Sequence, residues 1–112
     1  MTIFEKIANH EIPATIVHED VDIIAFHDIN PQAPYHIVIA PRKPIPSLDY
    51  VAAEDAELLG KMIVVAAELA RKFGISDTGY RLVFNCGRHG GQTVDHLHVH
   101  LLGGRQLGWP PG

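Results

Sequence analysis

The chain is predicted to be an α+β domain, a five-stranded antiparallel sheet with one long helix and one short N-terminal helix. Three observations predict this. Three β-rich segments precede a single long helical segment and two follow it, so the elements are segregated rather than alternating. The helical segment has a broad apolar stripe, acidic residues at its start and basic residues at its end. The last β-rich segment, His96–Leu102, alternates imidazole with aliphatic side chains at the period of a strand.

At 112 residues the chain reads as one domain, residues 1–112, long enough for a real core but too short for two domains. Its 46% apolar and 20% charged composition is that of an ordinary globular protein. A net charge of -4 and a pI near 6.0 argue against nucleic acid or an anionic membrane as the main partner. No apolar run reaches the ~18 residues of a membrane span, and the N-terminus lacks the basic and apolar blocks of a signal peptide. The sole cysteine, Cys86, fits a reducing, cytoplasmic setting.

Thr2 is predicted to cap the short helix, which carries Ile3, Phe4 and Ile7 on one side and ends before Pro13. Ala14–His18 and Asp22–His27 then form an antiparallel hairpin turning at Glu19-Asp20. Pro31 and Pro34 make the next segment a loop, and Tyr35–Ala40 is the third strand. The long helix covers Ala53–Phe73, begins with Glu54, Asp55 and Glu57, ends with Arg71 and Lys72, and is stopped by Gly74. Glu57/Lys61 and Glu68/Lys72 are i,i+4 pairs on its solvated side. Leu59, Met62, Ile63, Ala66, Leu69, Ala70 and Phe73 make its core stripe. Ala56, Gly60 and Ala67 widen the apolar arc, either to face a second subunit or because small residues are tolerated there. Tyr80–Asn85 is the fourth strand and His96–Leu102 the fifth. The aliphatics of the fifth strand face the helix, which leaves its histidines on the open face of the sheet.

The row His96, His98 and His100 admits three readings. Paired strand histidines can ligate zinc at ~2.0–2.1 Å. Alternate Cα atoms lie ~6.6–6.8 Å apart, so the outer two are ~13 Å apart and all three cannot converge on one ion without a bulge. Two of them with His36 form a possible set, though no cysteine or carboxylate cluster completes it. The second reading is nucleophilic attack on phosphorus. A neutral imidazole is a competent nucleophile when its other nitrogen donates to a fixed acceptor, and neighbouring imidazoles can stabilise phosphoryl charge. The upstream run Gly90-Gly91-Gln92-Thr93 offers backbone N–H groups and a hydroxyl for an anion. The third reading, a polar sheet face that happens to be histidine-rich, suits His10, His18 and His89 singly as surface residues but not the triple alternation.

HLHVHLL matches the His-φ-His-φ-His-φ-φ signature, φ being hydrophobic, of the histidine triad (HIT) superfamily. TIFEKI, AFHDINPQAPYH, GYRLVFN, GGQTVDHLHVHLLGGRQ and WPPG together resemble its Hint branch, the nucleotide-binding proteins, nearly from end to end. The resemblance implies a homodimer whose two sheets join into one. It also implies hydrolysis of purine nucleoside phosphoramidates and aminoacyl-adenylates to AMP or GMP, with no metal and no cofactor. In this reading His98 is the nucleophile and forms a nucleotidyl-histidine, its other ring nitrogen donating to the His96 carbonyl. His100 holds the α-phosphate, and His36 and His96 complete the network. Asp28 binds the ribose hydroxyls, although from the residues alone it reads rather as a turn cap before Asn30-Pro31. Ile3, Phe4, Ile7, Phe26 and Ile29 form the base slot; Asn85, Gly91, Thr93 and Val94 contact the phosphate and leaving group. Trp109 reaches the partner's leaving-group region or, alternatively, only anchors the tail.

Thr93 replaces a common serine and Asp95 a common aromatic, and Cys86-Gly87-Arg88-His89 also departs from the pattern; all three bear on leaving-group preference. His100 is histidine where transferase relatives have glutamine, so water is the implied acceptor. Two other functions stand beside this one. One is a non-catalytic nucleotide-binding regulatory dimer. The other is a dinucleoside polyphosphate hydrolase, against which GGRQ and WPPG argue.

Overall fold

The computed structural model describes residues 1–112 and has the expected architecture. Helix α1 spans Ile3–Ala8 and α2 Ala56–Lys72; the strands are β1 Ile16–Glu19, β2 Ile23–His27, β3 Tyr35–Pro41, β4 Tyr80–Phe84 and β5 Val99–Gly103. They form one antiparallel sheet in the order β1-β2-β3-β5-β4, so the histidine strand is flanked on both sides. No helix is long and apolar enough to cross a membrane.

Side-chain alternation divides the sheet into two faces, and a helix covers each. On one face, Met62, Val65, Ala66, Leu69 and Ala70 of α2 pack over Ile23, Ala25, Ile37, Ile39, Val99 and Leu101. On the other, Phe4, Ile7 and Ala8 of α1 pack over Ile24, Phe26, Val38 and Ala40. The histidine face is therefore not open, as the strand pattern suggested, because α1 lies across it. His96 is 1% exposed and His98 4%.

Helix α1 is too short to hold itself together, since isolated helices of a few residues are unstable in water. Both of its ends are tied down. Thr2 Oγ1 accepts from the Glu5 N–H at 3.2 Å while the Glu5 carboxylate accepts from the Thr2 N–H at 2.9 Å, a reciprocal cap. At the other end, the Arg42 guanidinium donates to the Ala8 carbonyl at 2.9 Å and to the Asp20 carbonyl at 2.7 Å.

Four details differ from the sequence reading. The β5 ladder begins at Val99 rather than His96, because the Leu97 N–H donates to the Ile45 carbonyl outside the sheet; the alternation of faces persists through it. In α2 the buried stripe is Met62, Val65, Ala66, Leu69 and Ala70, an i, i+3, i+4, i+7, i+8 set that leaves Ile63 46% exposed at its flank. A 3₁₀ turn, Ala53–Asp55, leads directly into that helix, with Asp55 buried and bound to Lys43 at 2.8 Å. Lys61 pairs not with Glu57 but with Asp20 and Asp22 at 3.1 and 2.9 Å, since the β1–β2 turn presents two carboxylates to the helix. Burial opposes the charge on Asp20, yet hydrogen bonds from His18, the Asp22 backbone and Lys61 hold its carboxyl well below the usual range. The stop at Gly74 is as read: its φ is +74°, with Gly74 N–H on the Arg71 carbonyl and Ile75 N–H on that of Ala70.

Met62 is fully buried between α2 and the sheet. Met62→Ala is expected to destabilise the fold by about 2–5 kcal/mol. Urea denaturation should read this as a lower midpoint at unchanged slope, and an unchanged midpoint would contradict the packing described.

Candidate active site

Helix α1, the segment after it, the end of β2 and the loop before β5 enclose a cavity of about 440 Å³ against the histidine face. Ile3, Phe4, Ile7, Phe26, Ile29 and Val94, all expected site residues, line it with Asp28, Thr93, His98 and His100. Ile12, Pro13, Ala14, His27 and Val38 line it too and were not anticipated. Val38 was within reach of the sequence, because period two puts it on the same face as His36; Ile12–Ala14 carry no periodic signal. A larger depression of about 560 Å³ beside Arg42 and Lys61 contains the Lys43–Asp55 and Lys61–Asp22 ion pairs.

The remaining expected residues lie elsewhere. His36 and His96 are buried behind the cavity wall. Asn85 is half-buried just past β4, and Gly91 and Asp95 are exposed outside the cavity. Trp109, 84% exposed, sits in the tail away from it. The glycine run serves its own turn: a Cβ on Gly90 would collide with the Cys86 carbonyl, and Gly91 has φ +77°.

Hydrogen bonds fix which ring nitrogens carry protons, assigned from their partners. His98 Nδ1–H donates to the His96 carbonyl at 2.6 Å, so Nε2 is left with its lone pair. The Gln32 N–H donates to His36 Nδ1 at 3.0 Å. His36 Nε2–H therefore points to His100 Nδ1 at 2.8 Å, with an Asp28 carboxylate oxygen 3.5 Å away. His100 is left with Nε2–H as a donor. Asp28 also accepts from the Asn30 N–H at 2.8 Å, so the turn-capping and cavity-lining readings both describe it.

Burial, the largest influence, pushes the His98 ring below its ordinary range, more than the His96 carbonyl and Asp28 raise it. Burial likewise lowers His36 against the pull of Asp28. His100 is pushed down to about 4 by burial and by the neighbouring His98 and His36 rings. Three neutral imidazoles thus stand together, and one lone pair among them is unengaged. Phe4 packs edge-on against His98, with ring centroids 4.8 Å apart, which keeps that ring from turning.

Metal-ligating atoms of Asp28, His36 and His100 lie within 4.8 Å of one another. Two imidazole nitrogens bound tetrahedrally to zinc would stand about 3.3 Å apart, from bond lengths of ~2.0–2.1 Å. The facing nitrogens of His36 and His100 are 2.8 Å apart, the spacing of a hydrogen bond.

Comparison with known proteins gives a consistent outcome. The model of the HIT domain matches residues 9–107. Purine nucleoside phosphoramidase of Escherichia coli K12 is 55% identical over 107 residues, 96% of this chain and 90% of that protein. A HIT family hydrolase from Legionella pneumophila superposes with a TM-score of 0.98 at 54% identity, covering 100% of both chains. A histidine triad nucleotide-binding protein from Candida albicans superposes with a TM-score of 0.82 at 30% identity, over 98% of this chain and 83% of that one.

The depressed histidines make stability depend on pH in a defined window. Between about pH 4 and 6.5 the unfolded chain binds protons at His100 that the native chain refuses, so stability is full above 6.5 and falls as pH drops toward 4. His100 alone should account for a loss on the order of 2–3 kcal/mol across that window. Urea midpoints at pH 7 and pH 5 check this; the decline should be shallower in His100→Asn, and equal declines would exclude His100 as a source.

Proposed function

This chain belongs to the HIT domain family, and from that premise we propose that it is a purine nucleoside phosphoramidase acting through His98. The carrying observation is the free Nε2 lone pair of His98, directed by its Nδ1–H bond and bordering an apolar cavity of a size suited to a purine nucleoside. The relation to the Escherichia coli purine nucleoside phosphoramidase supports the phosphoramidate substrate class; aminoacyl-adenylates are a second class, carried over from the family resemblance.

In the first step His98 Nε2 attacks the α-phosphorus. The P–N bond breaks, its electron pair leaves with nitrogen, and a proton drawn through the site from solvent converts that nitrogen to the amine. In the second step water oxygen bonds to phosphorus, the P–Nε2 bond breaks, and a water proton is returned to the site. The products are the amine and AMP or GMP. His100 Nε2–H donates to a phosphoryl oxygen and strengthens that bond as charge develops. His36 holds His100 in this tautomer from behind, and Asp28 binds the ribose hydroxyls. Phe4, Ile7 and Phe26 hold the base, with Ile3 and Ile29 at its rim. Thr93 and Val94 line the leaving-group side, and Asn85 and Gly91 join them when substrate is bound. No step calls for a metal or a cofactor. The single exposed thiol, Cys86, suits a reducing, cytoplasmic setting.

The working form is a homodimer. Ile63 and Val64 stand 46% and 54% exposed on α2, and β4 is an unpaired sheet edge. Neither is usually left uncovered. A partner pairing along β4 joins the two sheets and brings its Trp109 toward the leaving-group region. Sedimentation should find a dimer that Val64→Glu converts to monomer; a monomeric wild type would refute this part.

Intact-protein mass spectrometry after a quench that avoids acid tests the chemistry. With adenosine 5′-phosphoramidate, wild type should carry a transient nucleotidyl adduct and accumulate AMP. His98→Ala should show no adduct and lose at least about 10³-fold in turnover. Retained activity in His98→Ala would exclude the nucleophile assignment, and bound nucleotide without turnover in wild type would favour a regulatory binding module.

A further inference from the structure

Thr2 belongs to the cap of α1, yet its hydroxyl also lies 2.8 Å from Nδ1 of His96, a residue ninety-four positions away. The opposite ring nitrogen of His96, Nε2, is 2.7 Å from the Pro41 carbonyl. A carbonyl only accepts, so Nε2 carries the proton and Nδ1 does not. Nδ1 therefore needs a donor, and the Thr2 O–H supplies it. The same oxygen accepts from the Glu5 N–H, so one hydroxyl both closes the helix cap and fixes the His96 tautomer. The carbonyl of that same residue, His96, receives the His98 Nδ1–H. Phe4, two residues after Thr2, packs edge-on against both rings at centroid distances of 5.7 and 4.8 Å.

From this geometry we infer that Thr2 is a positioning residue for the reaction: its hydroxyl locks His96 as the Nε2–H tautomer and thereby sets the orientation of the His98 nucleophile. It also registers the base-binding helix against the histidine row, so base recognition and nucleophile alignment share one contact. The inference deepens the hydrolase reading and rests on it for its effect on rate, though the tautomer lock can be read without turnover.

Capping and tautomer control separate because a carboxylate can do one and not the other. Aspartate is at least as good an N-cap as threonine, but ionised it has no proton to give Nδ1. Thr2→Asp should therefore keep α1 in place, with KM for adenosine 5′-phosphoramidate within about twofold. It should lower kcat about 10–100-fold, the scale on which a small misalignment of reacting groups acts. Thr2→Val loses both bonds and should raise KM as well as lower kcat, whereas Thr2→Ser keeps both and should restore kcat to within about twofold. Nitrogen-15 spectra of the unliganded protein, with ring signals assigned through His96→Gln, give the independent reading. Wild type and Thr2→Ser should show His96 Nδ1 unprotonated, and Thr2→Asp should show it protonated. Wild-type kcat in Thr2→Asp, or an unchanged His96 Nδ1 signal, would overturn the assignment. If wild type itself fails to turn over, the hydrolase reading falls while the ring signals still decide the tautomer lock.

Discussion

The hydrogen bond from His98 Nδ1 to the carbonyl of His96 folds the central imidazole back along its own strand, and the site is organised around it. A ring free to turn would present either nitrogen to the cavity, protonated or not. Held this way, it offers a single lone pair in a single direction. Burial then keeps the lone pair unprotonated at neutral pH, because an imidazolium there would lose its hydration without gaining a counter-charge in contact. The two effects need one another. Orientation without burial gives a protonated ring in mild acid, and burial without orientation gives a neutral ring facing any way.

The rest of the fold keeps that bond in place from two sides. Through Val99 and Leu101 the histidine strand is anchored to the α2 core, the larger of the two. Its imidazole side is covered by only two turns of α1, which depend on the Thr2 cap, Arg42 and a small apolar cluster. The histidines are thus fastened to the rigid layer, and the apolar cavity wall of Phe4 and Ile7 belongs to the lighter one. A cover of modest local stability over firmly held imidazoles suits a cavity that has to admit and release a ligand.

Much of this was legible in the sequence for a local reason: side-chain period and cap chemistry act over a few residues. The alternation at His96–Leu102, the Thr2 cap and the Gly74 stop belong to that class. The features that escaped depend on distant partners. Nothing near Lys61 reveals that Asp20 and Asp22 will lie beside it, whereas Glu57 is one helical turn away on paper. The choice of Val65 over Ile63 for the core is set by where α2 meets the sheet, and the periodicity tolerated either. The histidine face looked open because a six-residue helix gives no hint of which surface it will cover. Resemblance to a known family named Ile3 and Asp28 as site residues, which spacing alone could not assign, and both line the cavity, while Asn85, Gly91 and Trp109 stay outside it in the single chain.

His96 contributes its main-chain oxygen to the His98 ring while its own ring is occupied at both nitrogens by Pro41 and Thr2. The five-letter pattern of alternating histidines is consequently not a portable module. Grafted onto an unrelated sheet, it would arrive with a buried first imidazole and no partners for it, and the scaffold would bear the cost of an unsatisfied polar ring. A designer who wished to move this chemistry would have to carry a carbonyl from a neighbouring strand and a hydroxyl from beyond the sheet. The transferable unit is therefore a constellation drawn from three separate stretches of chain.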